Sequence, residues 1–157
     1  MHYLFFKKTI LLVWAIWWTV VFLNDFFAGL QEMGWIFIHW INDMNYPSIT
    51  VALSKFNAPN WLSFSLYLII VAWSLVNASL FWRAFLTKVR DYELWLKHVS
   101  YAFIASLVLW FCFIVIDQIV VQAHFSFEGI HMVQAMLQLV CFFCFFHFTT
   151  SSTFSVN

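Results

Sequence analysis

Four long apolar runs separated by short polar stretches set the pattern of this chain: about 9–30, 61–87, 100–122 and 128–148. Each is long enough to carry an α-helix across roughly 30 Å of hydrocarbon, which takes about 20 predominantly apolar residues. The pattern predicts an all-α fold, a polytopic membrane protein built as a four-transmembrane-helix bundle. It forms a single transmembrane domain over residues 1–157, with a long outer connection between helices 1 and 2 and a polar tail at 149–157. Apolar character continues past Glu32 through Trp35-Ile36-Phe37-Ile38-His39-Trp40, so the first helix is expected to overshoot the hydrocarbon or to bend near Gly34 along the interface. Trp35 and Trp40 suit the headgroup level there. Residues 42–60 turn polar, with Pro47 and Pro59 as breakers and a short surface helix expected from Pro47. Asn60 is placed to cap the second span. Residues 88–97 interleave both signs of charge and read as a solvated turn between antiparallel neighbours.

Within the runs, the polar residues recur at helical spacing. Asp25, Glu32 and His39 step by seven, which holds them on one stripe with about 20° of drift per step. Ser74, Asn77, Ala78 and Ser79 mark a face of the second span that packs on a neighbouring helix, with hydroxyl and amide groups bonding across it. Ser106, Trp110, Phe113, Asp117 and, one turn past the third span, His124 share another stripe. His131, Gln134, Gln138 and Cys141 share a face of the fourth.

Composition reinforces the membrane reading: 64% of residues are hydrophobic and 9% charged, where soluble domains carry roughly a quarter charged residues. A net charge of zero conceals an asymmetry that sets orientation. Lys7, Lys8, Arg83, Lys88, Arg90 and Lys97 flank the start of span one and the connection between spans two and three, against Lys55 alone in the long outer connection. The positive-inside rule makes both termini cytoplasmic. Asp25, Glu32, Asp43, Asp117 and Glu128 then fall in the outer half, with His39, His124 and His131. Lys7-Lys8 before an apolar run imitates a secretory signal, but the run is too long and aromatic and meets Asp25, so an uncleaved first span is expected. Cys112, Cys141 and Cys144 lie in apolar runs and read as buried thiols with no structural disulfide. Interleaved charges at 88–97 argue against nucleic acid as a partner.

At Phe22-Leu23-Asn24, at Leu80-Phe81-Trp82-Arg83-Ala84 and at Leu109-Trp110 the chain resembles a set of prokaryotic small integral membrane proteins with four helices, which carry no assigned activity. The resemblance covers most of the length, including the long outer connection. It implies a four-helix fold and supplies no catalytic residues.

Candidate chemistry concentrates between residues 110 and 131. Glu128 and His131 are three apart at the start of a helix and point the same way, so with His124 and a group from span one they form a candidate mononuclear site for zinc, copper or iron. A dinuclear iron site is poorly matched, because the carboxylate–imidazole pair occurs once where ferritin-like bundles use it twice. Against a metal stands the plainer reading that Glu128 complements the dipole of the fourth helix while His131 makes an interhelical bond. Asp117, inside an apolar run, needs a partner or a purpose. The plainer reading is a hydrogen bond to Asn24, Asn77 or Gln118 inside the bundle, or protonation because burial disfavours the charged form; the functional reading is a proton relay with Asp25 and Glu32. The contact expected is with Asn24 or Asp25 of span one. Cys141 and Cys144 sit near the inner end of span four, which does not match thiol–quinone oxidoreductases. The function expected is a non-catalytic accessory subunit, or a lipid- or quinone-binding module, of a membrane complex. It would contact membrane lipids and other membrane subunits or copies of itself. The competing expectation is a membrane enzyme or transport component with a metal or relay site at the outer face.

Overall fold

A computed structural model describes residues 2–37, 45–120 and 128–153, with side chains described at 3–37, 45–116, 129 and 131–146. Five helices make up the described elements, with no strand among them: α1 (His2–Glu32), α2 (Asn45–Ser54), α3 (Asn60–Leu86), α4 (Tyr92–Val120) and α5 (Glu128–Thr153). Three are long and apolar enough to cross a membrane, over Tyr3–Glu32, Asn60–Leu86 and Tyr92–Ile116. The described apolar part of α5 is shorter, His131–Phe146. This is consistent with a multi-pass membrane protein.

Helix ends follow from local chemistry, and several differ from the sequence expectation. α1 does not run on as a helix past Gly34 but ends at Glu32, because Gly34 takes φ 72° and closes a double C-cap, and the expected interfacial stretch beyond residue 37 lies outside the described residues. Gly34 N donates to Gln31 O at 2.9 Å and Trp35 N to Leu30 O at 3.0 Å, satisfying carbonyls that the helix leaves open. The same device ends α2, with Asn57 at φ 52° and Ala58 N donating to Leu53 O at 3.2 Å. At the other end, α1 begins at His2, seven residues before the expected start of span one, so Lys7 and Lys8 lie inside it. α4 begins at Tyr92 and takes up six of the ten residues of the expected 88–97 connector. Asp91 is its N-cap, its Oδ1 accepting from Leu94 N at 3.0 Å, with Glu93 in the first turn. α5 runs to Thr153, into the stretch expected to be a polar tail.

The chain divides into two compact units, Met1–Trp14 with Leu80–Asn157, and Ala15–Ser79. In the first, α4 and α5 run antiparallel in a register fixed by their contacts. Trp95 meets Phe145 (5.3 Å), Phe103 meets Phe142 (5.6 Å), Ser106 bonds Gln138, and Trp110 faces His131 (5.9 Å). Each step up α4 is matched by a step back along α5. The buried residues of α4, Trp95, Val99, Phe103, Ser106 and Trp110 among them, recur at spacings of three and four, the stripe one helix buries against its neighbours. In the second unit, α1, α2 and α3 gather around Asp25 and Tyr67.

Only 28%, 28% and 33% of the three span cores is buried. Leu68, Ile69, Leu75, Ile104 and Phe111 are among the large apolar side chains left facing outward. An aqueous surface of that kind is not tolerated over such an area, whereas lipid solvates it at no cost. Cys112 corrects the expectation of a buried thiol: it lies on the exposed side of α4, and Cys141 and Cys144 are half-buried.

Candidate functional site

Asp25 lies within α1 and is only 2% exposed. A bare acid in hydrocarbon costs about 2.5–3.5 kcal/mol, and the second unit is arranged to supply it with donors. Asn45, the first residue of α2, donates Nδ2–H to Asp25 Oδ1 at 2.8 Å. Ser74 of α3 places its hydroxyl 3.2 Å from Asp25 Oδ2 and 2.7 Å from the Ile70 carbonyl. A hydroxyl has one proton, so the shorter contact, to Ile70, claims it most of the time. Tyr67, seven residues before Ser74 and so on the same stripe of α3, donates its OH to the Asp25 main-chain carbonyl. Gly29 makes this approach possible, since a Cβ there would stand 3.0 Å from Tyr67 Cε1. Tyr46 closes the group from α2, edge-on to Tyr67 at 5.4 Å. The result is a clamp joining three elements through one carboxylate and one tyrosine.

On the same face of α3, one turn past Ser74, Asn77 is fully buried, and neither amide atom has a hydrogen-bond partner among the described residues. Ser74, Asn77 and Ala78 are all buried, while Ser79 is exposed and turns its hydroxyl back to Leu75 O at 2.8 Å.

The sequence-predicted residues divide as follows. Asp25 is met by α2 and α3. The expectation that Asp117 meets Asn24 or Asp25 falls outside the described side chains, as do His124 and the side chain of Glu128. Glu32, the last residue of α1, is exposed, so the acidic stripe does not give its members a common environment. His39 lies outside the described residues. His131 is half-buried and stacked on Phe113 at 5.0 Å and 20°, with Trp110 at 5.9 Å. Both rings come from the α4 stripe read from sequence. Among the described residues no three His, Cys, Asp or Glu side chains cluster to hold a metal. The α4 and α5 polar stripes do meet, through Ser106 Oγ donating to Gln138 Oε1 at 2.5 Å, both residues fully buried.

Sequence reasoning missed a second constellation, at the C-terminal end of α3. A helix leaves its last carbonyls open, and here those of Arg83, Ala84 and Phe85 are filled, with that of Thr87 just beyond the helix end. Thr87 gives both its N–H and its Oγ1–H to Arg83 O (3.0 and 2.7 Å), and Trp95 Nε1 donates to Ala84 O at 2.9 Å. Lys8 Nζ reaches Phe85 O and, at 2.8 Å, Thr87 O. An ammonium at a helix C-terminus is favoured by the dipole. Lys8 also stands over the rings of Phe85 and Trp95, at 5.4 and 5.7 Å, and Lys7, almost fully buried, lies over Phe145 at 5.0 Å. The two lysines that the sequence places at the start of span one are therefore fasteners. Trp95, between Glu93 and Lys97, gave no sign of being fully buried.

No family model, no curated protein and no solved structure matches the chain.

Proposed function

We propose that the chain is a four-span membrane protein that serves as a non-catalytic accessory subunit, or a lipid- or quinone-binding module, of a larger membrane complex. The observation that carries this reading is the division of labour among its side chains. The described buried polar groups are largely engaged in joining helices to one another, as in the Asp25 clamp and the Ser106–Gln138 bond. The outward faces offer broad aliphatic and aromatic surface, with Trp17, Phe26 and Phe111 40%, 40% and 66% exposed. Such a molecule is equipped to be held and to hold, through packing against lipid, a prenylated ring or a neighbouring span. The fourth span would be α5, and both termini would be cytoplasmic in a prokaryotic inner membrane. The gathering of Lys8, Arg83 and Lys97 around the α3 end supports that orientation.

Purification in a mild detergent followed by native mass and metal analysis tests the reading. A larger co-purifying complex, or a lipid or quinone retained at fixed stoichiometry, is expected. Stoichiometric zinc, copper or iron on the isolated chain would overturn it in favour of an enzyme using His124, Glu128 and His131. A proton relay through Asp117, Glu32 and Asp25 would instead show as proton flux in proteoliposomes that Asp117→Asn abolishes.

A further inference from the structure

Between the last turns of α3 and the first turns of α4 lies a cavity of about 250 Å³, lined by Leu80, Arg83, Leu94, Lys97, His98 and Tyr101. The lining follows from helical spacing: Leu80 and Arg83 are three apart on α3, and Leu94, Lys97, His98 and Tyr101 step by three, one and three along one face of α4. One guanidinium, one ammonium and one imidazole thus converge from two helices with no carboxylate in the wall. Among the described residues neither Arg83 nor Lys97 has an ion-pair partner. The nearby acids are turned elsewhere, since Asp91 caps α4 and Asp91 and Glu93 line a separate hollow with Lys88 and Arg90. The carbonyls of Arg83, Ala84 and Phe85 at the end of α3 are filled by Thr87, Trp95 and Lys8, without Arg83. His98 is steadied by Thr87, whose Oγ1 is 3.3 Å from Nδ1, and Lys97 stands 5.9 Å from the Tyr101 ring centre.

We propose that this cleft binds the phosphate of an anionic phospholipid headgroup. Two cations without an ion-pair partner among the described residues, lining one small recess, select an anion with several acceptor oxygens, and Arg83 can engage it through two parallel N–H groups. Leu80 and Leu94 share the wall with them. Tyr101 and Leu94, 51% and 45% exposed, open onto the flank of α4 from which its apolar span continues, so a phosphate seated here leaves acyl chains lying along that flank. At about 30 Å³ per water the cavity equals roughly eight waters, space for a headgroup and too little for a whole lipid. Basic recesses between spans near a membrane surface take anionic lipid in this way. The inference deepens the lipid-binding arm of the function proposed above and rests on it.

The delipidated chain in mild detergent, offered phosphatidylglycerol or phosphatidylcholine of identical acyl chains and read by native mass spectrometry, tests it. Wild type should retain phosphatidylglycerol in preference to phosphatidylcholine. Each of Arg83→Gln and Lys97→Gln should weaken retention about fivefold, and the pair roughly 25-fold. Arg90→Gln, outside the cleft, should change nothing. The charge-keeping pair Arg83→Lys with Lys97→Arg should regain most of the loss, which separates a lost site from a lost fold. Inorganic phosphate that displaces the lipid would support the phosphate site. Phosphate binding to the same residues without lipid retention would support the site with a soluble source. Equal retention of both lipids, or loss with Arg90→Gln as large as with the cleft variants, would overturn the proposal. A chain that co-purifies with no partner or quinone yet keeps this preference would remove the accessory role and leave the site standing.

Discussion

Replacing Asp25 separates what its shape contributes from what its charge contributes. Asp25→Ala removes the acceptor of Asn45 Nδ2–H and the contact with Ser74. Asn45 is exposed, so it regains water and its bond counts near the low end of the usual 0.5–1.5 kcal/mol; Ser74 is buried but keeps Ile70 O. With the packing of the lost carboxyl group the total is about 1–2 kcal/mol, spent on holding α2 to α1, and corresponds to 5–30-fold in a local opening equilibrium. Amide hydrogen exchange over 45–54 in nanodiscs should accelerate by that factor. Asp25→Asn should leave exchange within about twofold of wild type, because its Oδ1 still accepts from Asn45 while its new N–H can donate to Ser74 Oγ, whose proton stays on Ile70 O. Exchange in Asp25→Asn as fast as in Asp25→Ala would refute this reasoning and make the carboxylate, rather than the hydrogen-bond pattern, the essential feature.

Three further outcomes are expected. Gly29→Ala should lower thermal stability by about 1–2 kcal/mol, since its Cβ would press on a tyrosine held at its OH and by Tyr46; unchanged or raised stability would show that the ring can move. Ser106→Ala should cost about 1–2 kcal/mol by leaving both ends of the Gln138 amide unpaired among the described residues, whereas Ser106→Ala with Gln138→Leu should recover most of it, and additive losses in chemical denaturation would contradict this. Trp95→Phe should cost about 1 kcal/mol by leaving Ala84 O open, with a loss of that size expected in thermal unfolding and an unchanged midpoint counting against a structural role for the indole N–H.

How far the sequence carries the structure depends on whether a feature is periodic. Run length predicts four membrane-length helices, of which three reach that length among the described residues while the described apolar part of α5 is shorter. Polar spacing predicts a packing face of Ser74, Asn77, Ala78 and Ser79, of which the first three are buried and Ser79 is exposed, and the stripes on which Ser106 and Gln138 meet. Periodicity fixes which side of a helix is buried but leaves open which neighbour covers it and at what height. Asp25 therefore acquires partners 20 and 49 residues away that no local pattern points to, though Gly29 one turn on and Tyr67 seven before Ser74 are the traces they leave. The lysines were legible as charge and illegible as caps, because counting treats a cation as solvated, while the open carbonyls that claim Lys8 exist only once α3 has ended nearby. The metal reading turned on His124, Glu128 and His131 and the relay reading on Asp117 with Asp25 and Glu32; the side chains of Asp117, His124 and Glu128 lie outside those described, and of the metal set only His131 can be placed, against two aromatic rings.

Lys8 also has a history within the synthesis of the chain. It leaves the ribosome before its two acceptors, which lie 77 and 79 residues further on. In the orientation proposed above, its ammonium until then lacks those two carbonyls and would stay hydrated at the cytoplasmic surface, which would keep the first helix from sliding through. Once α3 has been inserted and has brought its end back to the same surface, that ammonium can leave water for the carbonyls of Phe85 and Thr87. In that proposed orientation one side chain would act twice, first as a brake on translocation and later as the latch seen at the end of α3, so its neutral replacement should disturb the direction of insertion and the closure of the fold as separable events.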